Sequence, residues 1–176
     1  ISAAFVSSLL CPPAFAQDEL EETVITATRT PVPLADLGAP VIVITRNDIE
    51  RSLASDVSEL LHGQAGLEIS RNGGPGKTTT LFTRGTDSNH TVVLVDGVRI
   101  NPGTIGGAAL QNIAPESIER IEIVKGPRSS LYGTDAIGGV VQLFTRGASQ
   151  QGFSAGATQG SDATRQIFAD GAIEAR

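Results

Sequence analysis

Asp96-Gly97 stands between two β-branched runs, Thr91–Val95 (TVVLV) and Val98–Ile100, and constrains the fold more than any other local feature. A two-residue hairpin turn needs positive φ at both central positions, and Asp-Gly supplies it, so the flanking runs return on each other as antiparallel strands. The same punctuation divides the rest of the middle of the chain. Val41–Thr45 (VIVIT), Leu67–Ser70, Thr78–Arg84 (TTTLFTR), Glu119–Lys125 and Val140–Thr145 are strand-length runs. Thr45 or Asn47 can cap a short helix through Arg51. Ser55 is placed to cap a second, with Val57, Leu60 and Leu61 on one face and Gly63 as its stop. Pro115 is placed to open a helical turn, and Gly126-Pro127 ends the strand before it. No internal repeat is visible. This order of strands and short helices implies an α+β domain rather than a doubly wound one.

Composition narrows the function. The apolar fraction of 40% supports a buried core. With 19 Asp plus Glu against 13 Lys plus Arg, the net charge of −6 opposes nucleic-acid binding, which needs a basic face. One Cys rules out an internal disulfide and a multi-Cys metal site, and His62 and His90 are not at a metal-ligand spacing, so no cofactor is expected.

Both ends differ from the middle. Residues 1–16 (ISAAFVSSLLCPPAFA) carry no charge and end small-x-small at Ala14-Phe15-Ala16. They read as the remnant of an export signal, with Gln17 as the mature start. Pro12-Pro13 and the following acidic run oppose a buried helix there, and bulky Leu10 opposes a lipid anchor on Cys11. Residues 17–33, acidic and then Thr-rich, read as an exposed leader. Beyond Gly152, two alternating segments flank Gly160-Ser161-Asp162, with Ile167, Ala169, Gly171, Ile173 and Ala175 on one face. Gln166, Asp170 and Glu174 lie on the other, where Phe168 and Ala172 are exceptions. Such a pair fits a membrane-barrel hairpin and an ordinary edge hairpin equally well. Six Phe, one Tyr and no Trp are too few for the aromatic girdles of a complete barrel.

Gly73-Gly74-Pro75-Gly76-Lys77-Thr78 imitates the end of a phosphate-binding loop. Arg71 stands where the first Gly would fall, and the β-branched stretch after Thr78 replaces the helix whose N-terminus would face phosphate. Ser129, Ser130 and Tyr132 lie near Lys125 and Arg128, but no base is placed to activate a serine. Asp96 and Asp135 sit beside turn glycines, and His62 and His90 read as a helix-end and a surface residue. No nucleophile or acid–base set emerges, so an enzyme is not expected.

Six strings organise these pieces. They are Glu22-Thr23-Val24-Ile25-Thr26-Ala27, Asn72-Gly73-Gly74-Pro75-Gly76, Thr83-Arg84-Gly85-Thr86, and Val93-Leu94-Val95-Asp96-Gly97-Val98-Arg99. Lys125-Gly126-Pro127-Arg128-Ser129-Ser130-Leu131-Tyr132-Gly133 and Asp135-Ala136-Ile137-Gly138-Gly139-Val140-Val141 complete the set. In this order they resemble the plug domain of TonB-dependent outer-membrane receptors, and within them the cobalamin (vitamin B12) receptors. The resemblance implies a leader carrying a TonB box at Glu22, Thr23, Val24, Ile25, Thr26 and Ala27 within residues 17–33. It implies an α+β plug, a small mixed sheet with short helices, over 34–147 and the first strands of a truncated transmembrane β-barrel over 148–176. It further implies TonB as energy-coupling partner, the outer membrane as location, and cobalamin or another large metal chelate, siderophore or haem among them, as cargo. By position, Asn72, Lys77, Thr79, Thr80, Ile105 and Gly106 become the substrate contacts. Arg84, Arg99 and Arg128, with Glu119 and Glu122, become candidates for a charge network within the plug or against the barrel wall. Two positions depart from the pattern: Gln142 stands where Asn is usual, and Lys77 replaces an uncharged residue of the substrate loop.

Overall fold

The computed structural model describes residues 24–25, 32–33, 38–74, 76–103, 107–147, 152–160 and 165–172. The expected signal remnant lies outside them, as do Glu22, Thr23, Thr26, Ala27, Ile105 and Gly106. Two short strands, β1 (Val24–Ile25) and β2 (Val32–Pro33), come first. The chain continues through β3 (Val41–Ile44), helices α1 (Arg46–Ser52) and α2 (Val57–Leu61), and the hairpin of β4 (Leu67–Arg71) and β5 (Thr79–Thr83). Then come β6 (Thr91–Val95), β7 (Val98–Arg99), β8 (Ile118–Lys125), α3 (Ser129–Tyr132) and β9 (Gly139–Thr145). A last hairpin pairs β10 (Gly152–Gln159) with β11 (Arg165–Ala172).

Five strands form the central sheet in the order β3-β8-β9-β6-β7. Only the β6–β9 contact is parallel, so the sheet is mixed as the resemblance implied. Asp96 (φ 47°) and Gly97 (φ 82°) make the expected turn between β6 and β7. Asp96 does more than turn the chain: its carboxylate accepts from Thr145 N and Thr145 Oγ1 at the far end of β9.

Alternation assigns the two faces of the sheet. Ile44, Ile121, Ile123, Val141, Leu143 and Val93 are buried on one face under Ile49 of α1, Val57, Leu60 and Leu61 of α2, Leu81 of β5, and Leu110. Each such side chain contributes about 1.5–3 kcal/mol over its exposed state. On the other face, Ala136 and Tyr132 cover Val92, Leu94 and Val140. There Glu122 is fully buried opposite Gln142, and pairs with Arg120 Nε at 3.0 Å. Arg120 in turn lies 3.9 Å over the Phe144 ring.

The helices start where side chains can meet free amides. Thr45 and Asp48 cap α1 reciprocally: Asp48 N donates to Thr45 Oγ1 and Thr45 N donates to Asp48 Oδ2. The Thr45 hydroxyl, which donates to Asp48 Oδ2 at 2.6 Å, and then the Thr45 amide hold the Asp48 carboxyl below the usual carboxylate range. The cap of α2 is Asp56, one residue beyond the expected Ser55. Ser55 N and Ser55 Oγ donate to Glu59 instead, at 2.7 and 2.9 Å.

Entry of β9 into the sheet depends on Gly138-Gly139. Gly138 N donates to His90 O at 2.8 Å, and Gly126 N donates to Gly138 O at 2.9 Å. A Cβ at Gly139 would stand 2.5 Å from the Val124 carbonyl oxygen, and its φ of +153° disfavours any side chain. Gly139→Ala is expected to cost roughly 2–4 kcal/mol from strain and overpacking, seen as a lower denaturant midpoint. Gly74→Ala, with nothing within 4 Å of its added methyl, should stay within about 0.5 kcal/mol of the parent.

Candidate functional site

The hairpin tip between β4 and β5 carries most of the expected contacts. Asn72 N donates to Thr78 O at 3.0 Å and Lys77 N to Gly74 O at 3.2 Å, which closes a compact turn. Asn72 and Lys77 are exposed on it, and Thr80 is half-buried beside it. Thr79 is buried, and its hydroxyl donates to Lys77 O at 3.1 Å, so it supports the tip from beneath. Lys77-Thr78 leads directly into β5. The amides of the glycine turn therefore do not continue into a helix, and the geometry of a phosphate-binding loop is missing.

A buried ion pair fixes the root of this tip. Arg71, the last residue of β4, places its Nη2 at 2.9 and 2.7 Å from the two oxygens of Asp56 and 2.6 Å from Ser58 Oγ. Its Nη1 lies 3.4 Å from Glu59 Oε1. Asp56 also accepts from Glu59 N and from the Ser58 hydroxyl. One carboxylate thus caps α2 and holds the hairpin, a charge-assisted arrangement stronger than neutral bonds.

The second loop, from Asn101 onward, is rooted by an amide. Asn101 Oδ1 accepts from Val93 N at 2.6 Å and Asn101 Nδ2 donates to Thr91 O at 3.0 Å. The side chain continues the β6 ladder where β7 has already ended. At the other end of the loop, Ala108 and Leu110 are buried in the main core. Arg71 and Asn101 open the loops expected to meet substrate, Arg71 to Thr80 and Asn101 to Ala109, but neither stood among the expected contacts. A charge at a strand end and an Asn before a loop read locally as solvated groups; only their long-range partners mark them.

In the leader, Val24 pairs with Pro33 and Ile25 with Val32, antiparallel. The segment is extended, as expected, but it is already engaged with its own chain instead of running free. The expected charge network is not assembled as such. Arg99 pairs with Asp135, whose carboxyl this bond holds below its usual range, and Glu122 pairs with Arg120. Among the described residues Arg84, Arg128 and Glu119 join no ion pair. Arg84 lies against Gly66 and Gly126, and Arg128 Nε is buried without a hydrogen-bond partner.

In the last hairpin, Phe153, Ala155 and Ala157 face the same side as Ile167, Ala169 and Gly171 across the ladder, and all six are exposed. Phe168, the exception to the alternation, packs over Gly156 on the opposite strand, filling the space a side chain there would take. Among the described residues no helix is long and apolar enough to cross a membrane, and no three His, Cys, Asp or Glu could hold a metal ion.

Comparison with known proteins agrees with this geometry. A family model described as "TonB-dependent Receptor Plug Domain" matches residues 33–140. Among solved structures, the siderophore receptor PirA from Pseudomonas aeruginosa is similar at 29% identity and a TM-score of 0.50, over 66% of this chain and 20% of that one. The siderophore receptor PiuA from Acinetobacter baumannii shares the fold at 24% identity and a TM-score of 0.64, over 85% of this chain and 20% of that one. The copper transporter OprC does so at 24% identity and 0.59, over 74% and 20%. The chain thus spans about a fifth of the length of each.

Asn101→Ala strands the Val93 amide and the Thr91 carbonyl beside the core. It should cost about 1–3 kcal/mol, read as a lower unfolding midpoint together with faster amide exchange at Val93.

Proposed function

This chain belongs to the TonB-dependent receptor plug domain family, and from that premise we propose that it closes the barrel of an outer-membrane receptor importing an anionic metal chelate of the siderophore class. Membership of a transport-receptor family agrees with the sequence expectation that the chain is not an enzyme.

The observation that carries the ligand class is Lys77. It is exposed at the tip of a glycine-rich turn and has no carboxylate partner among the described residues. A free ammonium beside backbone amides favours a ligand of net negative charge, with charge-assisted hydrogen bonds to its oxygens. A corrinoid of no net charge offers that ammonium less electrostatic attraction than an anionic chelate does. The similarity to siderophore receptors supports the same reading. The comparisons give no support to the cobalamin expectation, which remains as the competing outcome of the test. In this reading Asn72, Lys77 and Thr80 touch cargo together with Ile105 and Gly106, and Thr79 braces the tip.

The other assignments follow from the same premise. Residues Glu22–Ala27 act as the TonB box, exchanging the β1–β2 pairing for a strand added to the partner's sheet edge. The hairpin β10–β11 opens the barrel, its exposed apolar face of Phe153, Ala155, Ala157, Ile167 and Ala169 turned to lipid. Arg84 and Arg128, without carboxylates of their own, face acidic groups on the inner barrel wall.

The test is equilibrium binding of a panel of anionic ferric siderophores, and of cyanocobalamin, to the intact protein in detergent. A ferric chelate should bind saturably, and Lys77→Ala should weaken it roughly tenfold or more. Binding of cyanocobalamin alone would overturn the ligand class and leave the plug assignment standing. Separately, Ile25→Pro removes the strand donor; uptake by cells should be lost while binding persists. Normal uptake would refute the position of the box.

A further inference from the structure

The N-terminal turn of α2 touches the roots of both candidate ligand loops. On one side, Arg71 reaches back from the root of loop 72–78 to the Asp56 carboxylate and the Ser58 hydroxyl. On the other, Val57 N donates to Ile113 O at 3.2 Å, just past the 3-10 turn Leu110–Asn112 that ends the second loop. Asp56, Val57 and Ser58 are consecutive and all buried. Val57 and Leu61 in α2 and Leu110 after the second loop lie in one core cluster. Loop 72–78 is exposed wherever it is described and brings little apolar surface of its own, so its position depends on its root; the second loop is held through Asn101 and the buried Ala108.

We infer that Asp56-Val57-Ser58 is a coupling element: it ties the two apical loops together, with Arg71 as the positioning residue for the first, so that a displacement of either loop is felt by the other. This rests on the reading of both loops as ligand-contacting, but the coupling itself needs no ligand to be observed. The arrangement has the contiguity that coupling requires. The Asp56 carboxylate orients the first turn of α2 through Glu59 N, and the same turn presents Val57 N to Ile113. Loss of the Arg71 contact frees that carboxylate, and the turn it fixes loses its outer anchor. Coupling of this kind is reciprocal.

The experiment is hydrogen–deuterium exchange read by mass spectrometry on the intact, ligand-free protein in detergent. Two variants cut the first root. Arg71→Met removes the guanidinium and keeps an aliphatic stem. Asp56→Asn keeps a competent helix cap and removes the charge, so it guards against a result that is only loss of α2. A third, Val57→Pro, cuts the second root; Pro is tolerated at the first helical position and Asp56 before it is already extended. Exchange should rise by about tenfold or more in both 72–78 and 107–113 in all three variants, with the β6 and β9 segments unchanged.

Faster exchange confined to the loop whose root was cut would overturn the coupling. Faster exchange spread through β6 and β9 would make the cluster a general stability element and also overturn it. No change in either loop would show that the roots are not held here. None of these outcomes depends on which cargo binds, so they are distinguishable from failure of the receptor reading, which the binding panel decides.

Discussion

Insertion of β9 between β8 and β6 is the constraint on which the rest of the molecule depends. The strand enters beneath the Val124 carbonyl through Gly138-Gly139, where no side chain fits, and then fills the middle of the sheet with Val141 and Leu143 on the core face. Its neighbours differ in sense, antiparallel to β8 and parallel to β6. The parallel contact requires a long connection between β6 and β9, and that connection contains the loop from Asn101, β8 and α3. Asp96 secures the far end of β9 through Thr145, so the strand is fixed at both ends by residues of turns.

Around that rigid centre the molecule grades outward into parts held by few contacts. The loops meet the body through polar side chains at their roots, joined in the second loop by the buried Ala108 and Leu110. Arg71 uses a buried carboxylate, and Asn101 imitates a strand backbone. Polar anchors of this kind are directional, and they are costly to leave half-made. They hold a loop in one place without burying its tip. The leader lies at the other extreme. Its two-residue pairing of Val24–Ile25 with Val32–Pro33 forms a sheet of two strands among the described residues, and isolated pairs of this size are marginal in water.

How much of this was legible in the sequence follows from whether the deciding contact is local. Asp96-Gly97 fixed its hairpin because both residues accept positive φ, and Thr45 and Pro115 marked helix starts by chemistry within three residues. The strand positions were readable from β-branched runs. Their partners were not, because periodicity carries no information on which strand lies alongside, and β6 and β9 are separated by the whole second half of the plug. The cap of α2 illustrates the limit. Ser55 and Asp56 are equally competent caps by type. Arg71, fifteen residues away, settles the matter by claiming Asp56 and leaving Ser55 to Glu59. The candidate site was legible to the same degree: the exposed tip with Asn72 and Lys77 could be read from its glycines, whereas its anchor could not. Phe168 looked misplaced in its alternating strand until Gly156 appeared opposite it, since only the register reveals that a ring is covering an empty position.

The two sheet surfaces of the molecule carry opposite instructions, and that contrast gives the fold its functional sense. In the central sheet, the face turned away from the main core tolerates a buried carboxylate, an amide opposite it and an arginine over an aromatic ring. Such groups need polar neighbours, because a buried charge without hydrogen bonds costs several kcal/mol. In the β10–β11 hairpin one exposed side carries Phe153, Ala155, Ala157, Ile167 and Ala169. Water is a poor solvent for that side and hydrocarbon would be a poor solvent for the other. On the proposed receptor reading these two surfaces would have different neighbours, the central sheet a wet interior and the apolar side of the hairpin lipid.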